Sequence, residues 1–197
     1  MTSEEFDQSQ RKNFSFKFPF NSENEVEDAA NKYPQKEKNR DDEAIECAKN
    51  CQTNGFCEKS EFIKICTWKS PRPKAQYEKN SEAIIREITR LAFSSLLNGY
   101  DRLQALKALY GVKARTASAI LHLVFYPEEK EKVKQGYPIM DIFAFKALGI
   151  KDVEPFNFDA NIADVWHNYT EFCRKQAQKY NVDMRTLDRA LWVKGKN

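Results

Sequence analysis

The carboxylate of Asp141 occupies a position in the sequence at which a single acidic group could take part in a reaction. It follows the apolar run Tyr137-Pro138-Ile139-Met140 and precedes a segment with helical spacing. An aspartate at a helix start is most often an N-cap, whose side chain accepts a hydrogen bond from the first turn. A fixed carboxylate can also stabilise positive charge that develops on a sugar, or orient an attacking water. Asp141 is therefore a candidate N-cap and a candidate catalytic residue.

The element that must position this carboxylate is a predicted helical hairpin over residues 101–125. Asp101 is expected to cap its first helix and Gly111 to end it, because a left-handed residue after a helix favours glycine. A second helix is expected to restart at Ala114 and to end before Pro127. Its apolar residues recur at helical spacing: Ala117, Ile120, Leu121, Val124 and Phe125.

The start of the second hairpin helix has the properties of an anion site. Its first backbone N–H groups have no partner within the helix, so they can hold a phosphate. Lys113 and Arg115 add positive charge at the same place. The hairpin therefore predicts contact with a phosphate group.

Over residues 105–148 the chain resembles the helix-hairpin-helix DNA glycosylase superfamily, which includes endonuclease III and the adenine glycosylase MutY. In that family a hairpin of the form L-P-G-V-G-x-x-T-A precedes an apolar helix and an apolar stretch that ends in the catalytic aspartate. The matching residues are Leu109, Gly111, Val112, Thr116, Ala117 and Asp141. Residues 69–72 and 183–192 resemble segments of uncharacterised bacterial proteins that share the hairpin, which imply a fold but no function.

This resemblance implies a base-excision-repair protein, a DNA glycosylase in which Asp141 is catalytic. The residues that it implies in DNA binding are Gly111, Val112, Lys113, Arg115, Thr116 and Lys146. A glycosylase must also take its target base out of the stack, at a cost of roughly a few kcal/mol, which requires a wedge and apolar or aromatic pocket walls. The aromatic candidates are Trp68, Tyr77, Phe143 and Phe145.

Three features depart from the family pattern. Lys113 replaces the second hairpin glycine and can contact a phosphate directly. Residues 128–136 form a charged insertion that is expected at the surface. Arg115 stands where bifunctional members carry the lysine that attacks the sugar, and an arginine stays protonated and forms no Schiff base. The resemblance therefore implies hydrolysis of the N-glycosidic bond without lyase chemistry through Arg115.

Charge divides the chain into a tail and a domain. Residues 1–43 contain 11 acidic and 7 basic residues, which gives them a net charge of −4. Because the whole chain has a net charge of +3, residues 44–197 carry a net charge of +7. A basic excess favours phosphate backbones as partners. Residues 34–42 contain no apolar residue after Pro34, which argues against a packed element there. We therefore predict a flexible tail over 1–43 and a helical domain over 44–197.

Within the tail, phenylalanine alternates at Phe14, Phe16, Phe18 and Phe20. Such alternation is typical of a short strand, of a strip that docks on the domain, or of a linear motif that binds another protein. We favour a tail that docks. The chain contains no apolar stretch long enough to span a membrane and no basic-then-apolar leader, so we expect no membrane contact and a soluble, cytoplasmic protein.

The cysteines and histidines predict no metal and no cofactor. Cys47, Cys51, Cys57 and Cys66 lack the paired C-x-x-C spacing of common zinc sites, and Cys173 is distant in sequence. Reduced, partly buried thiols are the expected state. His122 and His167 each lie on a predicted helix without a partner pattern, and we interpret both as ordinary helix residues.

The remaining segments predict an all-α fold. Ser81 is expected to cap a helix that ends at Asn98-Gly99, a long amphipathic helix runs from Ile162 to Tyr180, and Asp183 caps the last one.

Three function classes follow from the sequence. The first is a monofunctional DNA glycosylase, the second a non-catalytic DNA-binding module, and the third a helical protein-interaction domain. No motif identifies the base or the oligomeric state.

Overall fold

The computed structural model describes residues 15–126, 136–150 and 162–197. Within them the regular elements are all helices, which confirms the predicted all-α class. The helices are α1 (Glu23–Asn31), α2 (Gln35–Asn54), α3 (Lys59–Lys69), α4 (Lys74–Tyr77), α5 (Glu82–Phe93), α6 (Gly99–Lys107), α7 (Ala114–Val124), α8 (Ile142–Ala147), α9 (Ile162–Lys179) and α10 (Met184–Lys196). The charged insertion predicted over 128–136 lies, except for Gly136, outside the described residues.

The helical hairpin is formed by α6 and α7, but α6 begins earlier than the sequence predicts. Asn98 is its N-cap and accepts hydrogen bonds from the N–H groups of Tyr100 and Asp101. The carboxylate of Asp101 instead accepts a hydrogen bond from the Asn98 side-chain amide at 2.6 Å. The prediction that Asp101 is the cap is therefore wrong, because Asn98 reaches the first-turn donors three residues sooner.

Helix α7 is the centre of the hydrophobic core. Every residue from Thr116 to Val124 is buried, so the helix is enclosed on all sides rather than on the single face that its apolar spacing predicts. It packs against α2, α3 and α6. A helix buried all round is fixed by its neighbours, and residues at its start are held in place with it.

The phenylalanine strip docks on the domain, as favoured from the sequence, for the three members that the structure describes. Phe16 packs against Tyr169 and Phe172 of α9, with ring centroids 5.8 and 5.2 Å apart. Phe18 stacks on Tyr180 at 5.1 Å. Phe20 is buried among them. Phe14 lies outside the described residues.

The charged segment 34–42 differs from its prediction, because α2 begins at Gln35 and runs through the boundary drawn at residue 43. Asp41 of this segment is fully buried. A carboxylate can be fully buried when it is ion-paired, and the positions of apolar residues in the sequence do not reveal such a pair. Helix α1 packs against the C-terminal helix α10, so residues 15–43 are joined to the rest of the chain by several contacts. Residues 1–14 lie outside the described part of the chain.

Two predicted N-caps agree with the structure, and one predicted helix end does not. Ser81 caps α5 and accepts from the Ile84 N–H, and Asp183 caps α10 and accepts from the Thr186 N–H, both as predicted. Helix α5 ends at Phe93, five residues before the predicted Asn98 stop.

The five cysteines are free and buried, and no group of three metal-binding side chains occurs in the parts of the chain that the structure describes.

Candidate functional site around Asp141

The extended segment 137–141 is held against the hairpin helix by buried hydrogen bonds. Ser118 of α7 accepts the Met140 N–H at 3.0 Å, and the His122 Nδ1 lies 2.7 Å from the Tyr137 carbonyl oxygen. From the opposite helix α9, the Tyr169 hydroxyl donates to the Ile139 carbonyl at 3.0 Å. Buried polar groups of this kind need partners, and here the partners fix one register of the segment. The hairpin helix therefore sets the position of Asp141.

Asp141 is the N-cap of α8, and both of its carboxylate oxygens are engaged. Its Oδ1 accepts a hydrogen bond from the Phe143 N–H at 2.9 Å. Its Oδ2 accepts a hydrogen bond from the Lys69 Nζ at 2.6 Å, which makes an ion pair with the last residue of α3. The Asp141 side chain is 19% exposed and that of Lys69 is 13% exposed. The carboxylate is thus fixed in orientation and still reaches the surface.

The surrounding charges keep this carboxyl group ionised. Burial acts to raise the pKa of Asp141, but the Lys69 ammonium opposes it through its charge and its hydrogen bond. The Phe143 N–H and the Arg115 guanidinium act in the same direction as Lys69, and the pKa of Asp141 lies below its usual value. The group is therefore in the form that can stabilise positive charge.

The hairpin turn is held by two side chains that precede α5. The Asn80 side chain accepts the Tyr110 N–H at 2.8 Å and donates to the Tyr110 carbonyl at 3.1 Å. The Tyr77 hydroxyl donates to the Ser70 carbonyl at 3.2 Å and lies 3.4 Å from the Thr116 Oγ1. The Asn80 side chain thus supplies hydrogen-bond partners for both the N–H and the carbonyl group of Tyr110. The turn and the start of α7 are fixed to the segment that follows Lys69.

Helix α6 ends at Lys107 with Ala108 as its C-cap, so the prediction that Gly111 ends this helix is wrong; the Ala108 and Leu109 N–H groups already bond three residues back rather than four. Gly111 lies in the turn that follows and has the left-handed φ of +81° that favours glycine. A Cβ added there would lie 2.8 Å from Tyr77 Cδ1, closer than packed atoms can approach. Gly55 has a similar φ of +74° but has no atom within 4 Å of an added Cβ. We therefore expect Gly111→Ala to lower the free energy of unfolding by about 2 to 5 kcal/mol, the sum of backbone strain and overpacking.

Gly55→Ala is the matched control for this prediction, because it carries only the backbone strain, about 1 to 2 kcal/mol. Urea unfolding followed by circular dichroism measures both variants. If Gly111→Ala costs no more than Gly55→Ala, the hairpin does not approach Tyr77 as closely as the structure shows.

The residues predicted to bind DNA occupy different environments at the hairpin. Val112 and Thr116 are buried, and the Val112 N–H donates to the Leu109 carbonyl at 3.1 Å. Lys113 is exposed and is the N-cap of α7, where its side chain makes no capping hydrogen bond. Arg115 is half-buried and close enough to Asp141 for its charge to act on that carboxyl. The start of α7 therefore presents both its first backbone N–H donors and the exposed side chain of Lys113.

Lys146, the sixth residue predicted in DNA binding, is exposed on α8. Its ammonium lies 5.9 Å from the centre of the Phe143 ring. Among the aromatic candidates, Tyr77 and Phe145 belong to the core and cannot line an open pocket. Trp68 is half-buried and lines a surface cavity of about 260 Å³ together with Arg40, Lys64 and Lys74. Trp68 and Phe143 remain as aromatic surfaces near the Lys69–Asp141 pair.

A buried cluster of charges adjoins the site. Asp41 of α2 accepts hydrogen bonds through Oδ2 from Arg185 and, at 2.9 Å, from Arg189, both on α10. Its Oδ1 accepts the Trp68 indole N–H at 3.0 Å. Because Trp68 directly precedes Lys69, the cluster links the N-terminal and C-terminal helices to the lysine of the site. The opposite charges satisfy one another, which permits their burial.

His122 is buried within reach of the charges of this cluster, and burial together with the Arg185 charge lowers its pKa to about 3. An unfolded histidine has a pKa of about 6.5, so the unfolded chain binds more protons between the two values. Stability from this group is therefore present above pH 6.5 and is lost as the pH falls. We expect His122→Asn, which retains a donor to Tyr137, to remove about 1.4 kcal/mol of acid sensitivity per pH unit below 6.

Urea unfolding of both proteins at pH 7, 6 and 5 checks this expectation. Asp188, whose pKa burial raises to about 6, opposes the trend in wild type and variant alike, so their difference isolates His122. In NMR spectra the His122 imidazole should remain neutral to pH 4, and His167→Gln assigns the two histidine signals. An imidazole of His122 that titrates near pH 6 would contradict the buried position.

Sequence reasoning missed three side chains of this site: Lys69, Ser118 and Asn80. Ser118 and His122 lie four residues apart in the otherwise apolar stretch 117–124 of α7, and that spacing is a signal that polar groups face a common partner. In the sequence Lys69 belongs only to the segment 69–72 that resembles uncharacterised bacterial proteins, which implies no function for it. Its partner lies 72 residues away, and no local pattern connects the two.

Comparison of the chain with protein-family models, with curated proteins and with solved structures gave no match. None of the helices in the described residues combines the length and the apolar character needed to cross a membrane. The assignment of a function therefore depends on the geometry around Asp141.

Proposed function

We propose that this protein binds double-stranded DNA and hydrolyses the N-glycosidic bond of a damaged base. The observation that supports the proposal is the position of Asp141. Its carboxylate is fixed, ionised and partly exposed beside the start of the hairpin helix, where Arg115 and Lys113 supply positive charge. A DNA strand held by those cations would bring its sugars near the carboxylate.

Asp141 would act on the sugar rather than on the base. Loss of the base leaves positive charge on the deoxyribose, and a carboxylate in a partly desolvated site stabilises that charge. The same oxygen can orient the water that attacks C1′. Arg115 anchors the strand and supplies no nucleophile, so water completes the reaction and leaves an abasic site.

The start of α7 would hold a phosphate. The N-cap Lys113 leaves the first-turn N–H groups of α7 uncapped, as the proline N-caps of α2 and α4 also do, whereas α1, α5, α6, α8 and α10 each have a side-chain oxygen on theirs. Uncapped backbone donors bind phosphate, and the exposed Lys113 ammonium adds to the attraction. This contact positions the strand without reading its sequence.

One observation favours a second function, a DNA-binding module without catalysis. Both oxygens of Asp141 already have partners, Phe143 and Lys69, and a carboxylate used only as a cap and ion-pair partner would look the same. In that case the hairpin would hold DNA and Asp141 would stabilise the start of α8.

The experiment is an incision assay on labelled duplexes that each contain one alkylated, oxidised or deaminated base, run with and without alkali. Strand breakage that depends on alkali, and that Asp141→Asn abolishes, supports the glycosylase and identifies its base. Duplex binding without base release supports the binding module. Absence of both binding and release contradicts the two proposals together.

A further inference from the structure

Helix α5 has more apolar surface than the core covers. Its buried residues recur at i, i+4 and i+7 and are Ile85, Thr89 and Ala92. A second set with the same spacing begins one residue earlier and forms a stripe beside the buried one, the outer stripe, which consists of Ile84, Ile88 and Leu91. Ile84 is 52% exposed, Leu91 is 46% exposed and Ile88 is half-buried. Much of the outer stripe therefore faces solvent.

Other exposed apolar groups in the described part of the chain lie at the two ends of the same helix. Leu96, which is 87% exposed, follows the last residue of α5 by three positions. The exposed Tyr110 lies at the other end, because Asn80, which holds its backbone, directly precedes the N-cap Ser81. Apolar groups that are exposed singly are ordinary, but their concentration along one helix is typical of an interaction surface.

An ion pair at the surface borders the outer stripe. Glu87 follows Ile84 by three residues and pairs with Arg90, and both charged side chains are more than half exposed. A pair this exposed contributes little to the stability of one chain, so a partner can share its charges at little cost. A partner that fits this surface must therefore present an apolar stripe with one negative and one positive group at its border.

A second copy of the same helix meets these requirements. We propose that two copies of this chain form a dimer through α5, with the two helices antiparallel across a two-fold axis midway between Glu87 and Arg90. This arrangement places Glu87 of each copy beside Arg90 of the other, so both charges are matched twice. A parallel pair would instead set like charges at the same level. Dimer formation is independent of the function proposed above.

The same antiparallel arrangement matches the apolar groups. Ile88 of one copy lies against Ile88 of the other, next to the axis, and Ile84 of each copy lies against Leu91 of the other. Beyond the outer stripe, Leu96 of one copy lies level with the start of the other α5, where Tyr110 is exposed. The surface is thus complementary to itself, as a two-fold interface requires.

The dimer is expected to be weak. Helix α5 has 12 residues and is about 18 Å long, so one such face buries less area than a standard interface. Small interfaces are typical of transient association, and we expect a dissociation constant of roughly 10 to 100 µM.

Sedimentation equilibrium of the full-length protein tests the proposal over about 1 to 300 µM, a range that spans this constant. We expect the mass to rise towards twice that of one chain and not beyond, because a two-fold interface closes. Leu91→Gln removes an apolar contact twice in each dimer, so we expect the dissociation constant to rise about tenfold or more.

Exchange of the charges tests the antiparallel geometry. Glu87→Arg sets two arginines beside each other, and Arg90→Glu sets two glutamates beside each other, so each variant alone should dimerise about tenfold more weakly. An equimolar mixture of the two variants restores an opposite charge at every contact, so association should return to about the wild-type strength.

Glu37→Arg is the matched control, since Glu37 forms an ion pair of the same i, i+3 spacing with Arg40 on α2. It should leave the dissociation constant unchanged, and unfolding midpoints verify that all the variants fold. A wild-type protein that stays monomeric up to 300 µM, or whose mass grows beyond that of a dimer, overturns the proposal. Dimerisation that Leu91→Gln, Glu87→Arg and Arg90→Glu leave unchanged overturns it too, and variants that fail to associate when mixed contradict the antiparallel pairing.

Discussion

Asp141→Asn is expected to lower the single-turnover rate of base release by about a hundredfold or more, the range in which loss of a positioned charged or proton-transferring group falls. Asparagine is a good N-cap, and its side-chain oxygen can still accept the Phe143 N–H. The substitution therefore removes the negative charge while it retains the start of α8. The measurement uses the duplex that the lesion panel identifies, with enzyme in excess and alkali added at each time point.

A matched control is available at the last helix. Asp183 caps α10 through the Thr186 N–H, as Asp141 caps α8, so Asp183→Asn removes the charge of a capping residue elsewhere in the fold. We expect Asp183→Asn to leave the rate within a factor of about two, as substitutions away from the reacting groups usually do. If Asp141→Asn retains the wild-type rate, Asp141 is a cap alone and its proposed role in base release is wrong.

Local features of the candidate site could be predicted from the sequence. Gly111 signals the turn between α6 and α7, although not the last residue of α6, because a left-handed residue without strain is almost always glycine. Asp141 signals a helix start because its type and its place after an apolar run agree. Both signals depend on neighbours within a few residues, so one sequence carries them completely. The all-helical class follows from the same periodicity and proline placement.

The contacts that complete the site could not be predicted. Lys69 pairs with Asp141 across 72 residues, and Asn80 holds Tyr110 across 30. Whether a given lysine meets a given aspartate depends on how the helices pack, and many pairs in a chain with 31% charged residues are equally plausible by type. The burial of Asp41 could not be predicted from the sequence either, because a carboxylate within a charged run is ordinarily solvated.

Asp41→Ala is expected to have the largest effect on stability, a loss of about 3 to 5 kcal/mol in the free energy of unfolding. Asp41 is fully buried and is a common acceptor for Arg185, Arg189 and Trp68. Removing it leaves Arg185, itself only 4% exposed, with Asp188 as the one carboxylate partner described for it. A buried cation that loses its counter-charge keeps the full cost of its desolvation.

Asp42→Ala is the control, because Asp42 is the next residue on α2 and is exposed. Urea unfolding at pH 7 should separate the two variants by at least about 2 kcal/mol, since exposed surface substitutions usually change stability by half a kcal/mol or less. Asp41→Asn should fall between them, because it keeps an acceptor for the Trp68 N–H and loses the charge. Equal stability of Asp41→Ala and Asp42→Ala would mean that Asp41 is not buried against Arg185 and Arg189 of α10, and the anchor that Asp41 provides for Trp68 would be lost with that contact.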